Sequence, residues 1–150
     1  MIIEESIKIN APLPVVWRVF SAMEDWQNWN PVCGNCCIIR GNGMAADTCF
    51  TFSMRPYYLP IKVMPTITKC EPGKEVVWEG RRFGVYAVHR FIFEEQKDTV
   101  RLTSSETFSG PLLWLSKLIF IPGRLHRLTR QLMTAIKNHA EACERETEIN

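Results

Sequence analysis

A histidine and a glutamate on facing strands are the first candidates for chemistry in this chain of 150 residues. Val85 to Glu94 and Thr99 to Phe108 read as two strands joined by a tight turn around Gln96-Lys97-Asp98. With Lys97 and Asp98 as the loop, antiparallel pairing sets Phe93 against Leu102, Phe91 against Ser104 and His89 against Glu106. Strand alternation sends Phe91 and Phe93 inward, so His89 and Glu106 share the inward face. An imidazole beside a carboxyl in apolar surroundings has three uses. The two groups can satisfy one another and only fix the sheet, or they can anchor the polar end of a ligand. They can also serve as acid and base, their pKa values moved apart by burial. Mutual satisfaction is the simplest of the three.

Cys33-Gly34-Asn35-Cys36-Cys37 is the second candidate, since its two-residue spacing suits zinc or a redox pair. A structural zinc site needs a second pair of ligands at matching spacing. None follows, and His89, His126 and His139 stand alone. The six cysteines are therefore read as free thiols in a reducing compartment, with no metal, no structural disulfide and no cofactor expected.

The remaining candidates are shapes rather than reactive groups. The hairpin argument applied around Arg82-Phe83 sets Trp78 opposite Ala87, a large ring beside a small residue on the inward face. Aromatic side chains are numerous for one helix to cover. Phe50, Phe52, Trp78, Ala87, His89, Phe91, Phe93, Ser104, Glu106 and Phe108 are accordingly the predicted ligand contacts. They are expected to line an enclosed, mostly apolar cavity of roughly the 300–1,000 Å³ typical of ligand sites. No residue is assigned a catalytic role.

The elements that must hold these residues follow from patterning. Ile3 to Ile9 alternates as a first strand. Ala11-Pro12 opens a short helix with Val16, Trp17 and Phe20 on its apolar side. Ser21 and Glu24 form a capping-box pattern for a second short helix, whose Trp26 and Trp29 share a face. From Cys33 to Phe108 the signals are strands and turns. Asp47 to Arg55 alternates, Pro56 to Pro60 is a loop, and Lys62 to Cys70 pairs with Glu75 to Gly80 around Pro72-Gly73. The last segment is helical in two parts. Leu112, Leu115, Leu118 and Ile119 mark the first, and Pro122-Gly123 kinks or breaks it. Leu125, Leu128, Leu132, Ile136, His139 and Cys143 then form a stripe facing the sheet. Arg124, Arg127, Arg130 and Lys137 read as a solvated face.

Composition narrows the classes. At 150 residues, 46% hydrophobic and 23% charged, the chain reads as one domain spanning residues 1–150. A net charge of +2 gives no field suited to nucleic acid. The apolar run 112–121 is too short for a bilayer span of ~20 residues. It reads as core before it reads as a lid, a membrane contact or a subunit contact. Met1-Ile2-Ile3-Glu4-Glu5 lacks a secretory pattern, so the cytoplasm is the expected location. Oligomeric state is not legible.

In order and spacing, these motifs resemble the START/polyketide-cyclase (SRPBCC) superfamily. The matching features are Ile7-x-Ile9-x-Ala11-Pro12-x5-Trp17, Trp26-x2-Trp29-x-Pro31 and Val77-Trp78-x-Gly80. Also matching are His89-x-Phe91-x-Phe93 and Glu106-Thr107-Phe108-Ser109-Gly110 ahead of the terminal helix. The resemblance implies an α+β helix-grip fold: a seven-stranded antiparallel sheet wrapped around a long C-terminal helix, with two short helices after the first strand. It implies binding or carriage of a small apolar molecule (a lipid, polyketide or isoprenoid-like compound) between sheet and helix. The alternative is a polyketide cyclase or dehydratase using His89 and Glu106 as an acid/base pair. The family carries no universal catalytic motif. Few polar residues converge in the interior, so a carrier or binding protein is the preferred reading and an enzyme the second.

Overall fold

A computed structural model describes residues 1–55, 59–115 and 122–150. Strand β1 (Ile2–Ile9) leads into α1 (Leu13–Ser21), a 3-10 turn (Met23–Asp25) and the single-turn α2 (Trp26–Trp29). Seven strands follow: β2 (Gly34–Arg40), β3 (Cys49–Met54), β4 (Ile61–Val63), β5 (Thr66–Glu71), β6 (Glu75–Arg82), β7 (Val85–Gln96) and β8 (Thr99–Ser109). The long helix α3 (Pro122–Ile149) closes the chain. All strand pairs are antiparallel, in the order β1-β8-β7-β6-β5-β3-β2, with β4 also on β3. The expected α+β helix-grip architecture is present, with one strand more than expected.

The extra strand comes from Pro65. The expected single strand from Lys62 to Cys70 is two pieces, β4 on β3 and β5 on both β3 and β6. Proline has no amide to donate to a ladder, so the pairing changes across it. Instead the Pro65 carbonyl accepts from the Phe50 amide at 3.1 Å. The capping box is also corrected. Ser21 is the last residue of α1, and its hydroxyl turns back to the Arg18 carbonyl rather than capping the next turn. The expected loop over 56–58 and the helical residues Leu118 and Ile119 lie outside the described residues.

Helix α3 sits against β1 and α1 along Leu125, Thr129, Leu132, Met133, Ile136 and Ala140, all buried. The expected stripe is thus rotated slightly, with Leu128, His139 and Cys143 at its half-buried margin. Polar contacts fix the helix along β1. Glu5 accepts from His126 Nδ1 at 2.8 Å and Arg130 Nε at 3.0 Å, which explains a carboxylate on the inward face of the strand. Further along, Lys137 Nζ donates to the Lys8 carbonyl, and the Asn10 amide donates to Glu141.

Under the helix, an aromatic cluster fills the middle of the sheet. Phe20 stands 5.0 Å from both Phe91 and Phe93, centroid to centroid, and Trp78 packs on Phe50 and Phe91. Trp26 and Trp29 do different work despite their spacing. Trp26 is buried in the cluster with its indole N–H on the Phe20 carbonyl, while Trp29 stacks on His139 of α3 at 4.8 Å.

Candidate functional site

A pocket opens where the β6–β7 turn, strands β3 and β4, and the first turns of α3 meet. The β7–β8 ladder pairs His89 with Glu106, Phe91 with Ser104 and Phe93 with Leu102. The β6–β7 register differs from the expected one: Trp78 pairs with His89, and Ala87 pairs with Gly80. The turn is Phe83-Gly84, both at positive φ (49° and 70°), as a two-residue hairpin requires. Glycine supplies the second of these positions without strain. The slip is two residues, so parity is kept and Trp78 and Ala87 still face inward. The segment after β8 meets the turn from the other side. A Cβ on Gly110 (φ 122°) would lie 2.5 Å from the Gly84 carbonyl oxygen, so only glycine fits there.

Six of the ten predicted contacts line this pocket: Phe52, Trp78, Ala87, His89, Glu106 and Phe108. The other four do not. Phe50, Phe91 and Phe93 lie deeper in the aromatic core. Ser104 is buried behind His89, its hydroxyl 2.6 Å from Nε2. The rest of the lining was not singled out from sequence: Met54, Ile61, Val63, Met64, Pro65, Gly80, Arg81, Arg82, Phe83, Val85 and Leu125. One signal was available, since Gly80 and Arg82 continue the inward parity of Trp78. The pocket is open on one side and its volume is about 120 Å³, smaller than the enclosed cavity expected, because the aromatic cluster occupies the middle of the sheet. That is room for roughly one ring, as an apolar cavity of about 150 Å³ holds one benzene. A longer ligand must extend through the mouth beside Met64, Phe83, Arg81 and Arg82.

Two polar side chains converge inside. His89 Nε2 is engaged by Ser104, leaving Nδ1 turned towards Glu106 Oε1 at 4.0 Å. This separation is beyond hydrogen-bond length, so both groups are open to a third partner. Burial disfavours the charged form of each. It lowers the His89 pKa from 6.5 to about 3 and raises that of Glu106 from 4.5 to about 7. At neutral pH the pair is an uncharged imidazole beside a carboxyl near its ionisation midpoint. Such a pair can donate to and accept from a carbonyl or hydroxyl, and its neutral form places no full charge against an apolar ligand.

The signs give a test. Unfolded Glu106 ionises near pH 4.5 and folded Glu106 near 7, so its contribution to stability falls as pH rises through that window and stays low above it. His89 acts in the opposite sense, costing stability as pH falls below 6.5. Glu106→Gln removes only the first effect. Relative to wild type, the variant should gain about 1–3 kcal/mol between about pH 5 and about pH 8, an amount discounted for partial solvent access. Urea denaturation of both proteins at the two pH values measures it. A difference between the proteins that does not change with pH contradicts the assignment.

The cysteine cluster takes no part in the pocket. Cys33 and Cys36 are buried and Cys37 is exposed. Burial raises the Cys33 thiol pKa and pushes Cys36 up to about 12, so neither is a thiolate at neutral pH. Among the described residues, no group of three or more His, Cys, Asp or Glu side chains is placed to hold a metal ion. No helix among them is long and apolar enough to cross a membrane.

Solved structures share this architecture at low identity. The Zhui aromatase/cyclase from Streptomyces sp. R1128 superposes with a TM-score of 0.80 at 10% identity, covering 94% of this chain and 93% of that one. The protein TTHA0849 from Thermus thermophilus gives 0.79 at 10% identity, covering 95% and 99%. A START superfamily protein from Mycobacterium smegmatis gives 0.68 at 11%, covering 97% and 98%. These likenesses are of fold. No curated protein sequence matches the chain. The sequence model described as "Polyketide cyclase / dehydrase and lipid transport" matches residues 1–141. The chain belongs to that polyketide cyclase/dehydrase and lipid transport family.

Proposed function

We propose that the protein binds or carries a small apolar molecule, of lipid, polyketide or isoprenoid-like chemistry, in the pocket between the sheet and α3. The observation that carries this reading is the pairing of an apolar lining with only two polar side chains in its interior, an imidazole kept neutral by burial and a carboxyl whose ionisation burial delays to about neutral pH. Trp78, Phe52, Val63, Ala87, Phe108 and Leu125 supply the apolar contact. Glu106 and His89 hydrogen-bond a carbonyl or hydroxyl on the ligand. Arg81 and Arg82 lie at the mouth, where any part too long for the cavity emerges. The family to which the chain belongs, described by both cyclase chemistry and lipid transport, supports this class of ligand.

A cyclase or dehydratase is the second reading, favoured by one observation. Glu106, near its midpoint at neutral pH, can both take and return a proton. Against it, a cyclisation needs a third group to hold an enolate, and Ser104 is turned to His89 rather than to the pocket. Native mass spectrometry of gently purified protein, followed by solvent extraction, tests the binding reading. The expected result is a mass increment that disappears on denaturation and is recovered as an apolar compound bearing at least one oxygen. Protein that carries no adduct and takes up no member of a lipid and polyketide panel contradicts it.

A further inference from the structure

Of the nine large apolar side chains exposed among the described residues, six belong to the segments that form the mouth of the pocket or adjoin them in sequence: Leu59, Met64, Phe83, Leu112, Trp114 and Leu115. Met64 and Phe83 line the mouth itself. Leu112 packs on the same turn, since a Cβ on Gly84 would stand 2.7 Å from its Cδ1. Trp114 and Leu115 follow in the turn closed by the Leu115 amide on the Leu112 carbonyl, and Leu59 precedes the lining residue Ile61 by two. Phe83 and Trp114 are 67% and 68% exposed, an unusual state for rings of that size.

The charges around them are of one sign. Arg81 and Arg82 line the mouth, with their guanidinium groups over the Tyr86 and Phe83 rings. Arg55 follows Met54 and Arg124 precedes Leu125, while Lys62, between Ile61 and Val63, takes the opposite face of β4. Segments 54–64, 81–87 and 108–127 contain no Asp or Glu. The neighbouring carboxylates are engaged elsewhere: Glu79 with the Tyr86 hydroxyl, and Glu5 with His126 and Arg130. Glu106 is inside the pocket.

Exposed rings and leucines among cations, with no acidic residue in the same segments, suit a surface that lies on an anionic bilayer. Tryptophan and phenylalanine favour the headgroup boundary, and each nearby Arg or Lys gains from the negative surface potential. A second copy is a poor occupant, because an isologous contact would bring the same cations together without acids. We propose that the pocket mouth docks on an anionic lipid surface, with Phe83 and Trp114 entering the interface and Arg55, Arg81 and Arg82 meeting the phosphates. Docking there turns the pocket opening towards the acyl chains. The surface stands on its own and does not depend on which molecule the pocket holds.

The test is flotation of the whole protein with vesicles of phosphatidylcholine alone or with phosphatidylglycerol. Binding is expected to the anionic vesicles only, and to weaken as salt rises. Arg82→Glu should lower the partition coefficient roughly tenfold or more, given the loss of one cation and gain of an anion. Phe83→Asn should lower it as well while keeping the hairpin, since Asn-Gly is the preferred sequence for this turn. Arg40→Glu, on the edge strand β2 at the opposite end of β3, is the control and should stay within about twofold. Unchanged thermal midpoints establish that the variants are folded. Four results would overturn the proposal: no binding to anionic vesicles at low salt, equal binding to both vesicle types, equal losses in Arg40→Glu and Arg82→Glu, or a dimer that Phe83→Asn dissociates in the absence of vesicle binding.

Discussion

Replacing Ile136 with Ala is expected to destabilise the protein by about 2–5 kcal/mol, among the largest effects of any single substitution. Ile136 lies on the buried side of α3 and is only 1% exposed, with Met133 and Leu132 beside it and the sheet beneath. The cost has two parts. Transfer free energy of the removed methyl and methylene groups is lost, and a void remains because helix and sheet are tied at several separate points. Glu5 holds the N-terminal half of α3 through His126 and Arg130, and Lys137 and Glu141 hold the next turns to the end of β1. The helix therefore cannot settle into the gap. Leu132→Ala belongs to the same class. Asn138→Ala, on the exposed side, should change stability by less than about 0.5 kcal/mol. Denaturant midpoints at constant slope read all three. An Ile136→Ala midpoint equal to wild type would contradict the placement of α3 in the grip.

Replacing Ala87 with Phe is expected to abolish uptake of an apolar probe while leaving the domain folded. Ala87 lines the pocket between Gly80 on β6 and Phe108 on β8, so its side chain points into the space without supporting the aromatic core. A phenyl ring there takes up most of about 120 Å³. Overpacking of a filled core costs about 1–3 kcal/mol, whereas a ring entering an existing pocket adds apolar contact and offsets part of its strain. The thermal midpoint should shift little, and binding of the neutral fluorophore N-phenyl-1-naphthylamine should fall at least tenfold. A variant that unfolds shows that position 87 lies in packed core, and one that binds the probe as wild type does shows that the probe sits elsewhere.

What the sequence made legible follows from the physics of strands. The β7–β8 register could be read because a two-residue loop and an alternating pattern fix pairing together, and His89 therefore faces Glu106. The β6–β7 register was harder to read. Phe83 adopts a left-handed φ that a bulky side chain seldom takes, so the turn is easily placed one residue too early. Pro65 carried a visible signal, and its effect was to split one strand between two partners.

Parity tells which face a residue takes but not how far along the strand the helix covers it. Phe91 and Phe93 share a face with His89, yet they lie under Phe20 and Trp17, while His89 and Ala87 lie nearer the open end. Depth of this kind is set by where α1, the 3-10 turn and α3 land on the sheet. Those landings depend on packing between residues distant in sequence, such as Trp29 on His139. The lining residues Met54, Ile61, Met64 and Leu125 come from separate segments that meet only in the folded chain.

The proposed site for an apolar molecule is the space bounded by Trp78, Ala87, His89 and Glu106. Methyl-resolved NMR during titration with N-phenyl-1-naphthylamine tests it most directly, because Val63, Val85, Ala87 and Leu125 place methyl groups on the pocket walls. Saturable shifts confined to these and the other methyl-bearing lining residues, Met54, Ile61 and Met64, and absent in Ala87→Phe, are the predicted result. Shifts centred instead on Ala135 and Ala142, which line a groove on the outer side of α3, would contradict it, as would the absence of any saturable change.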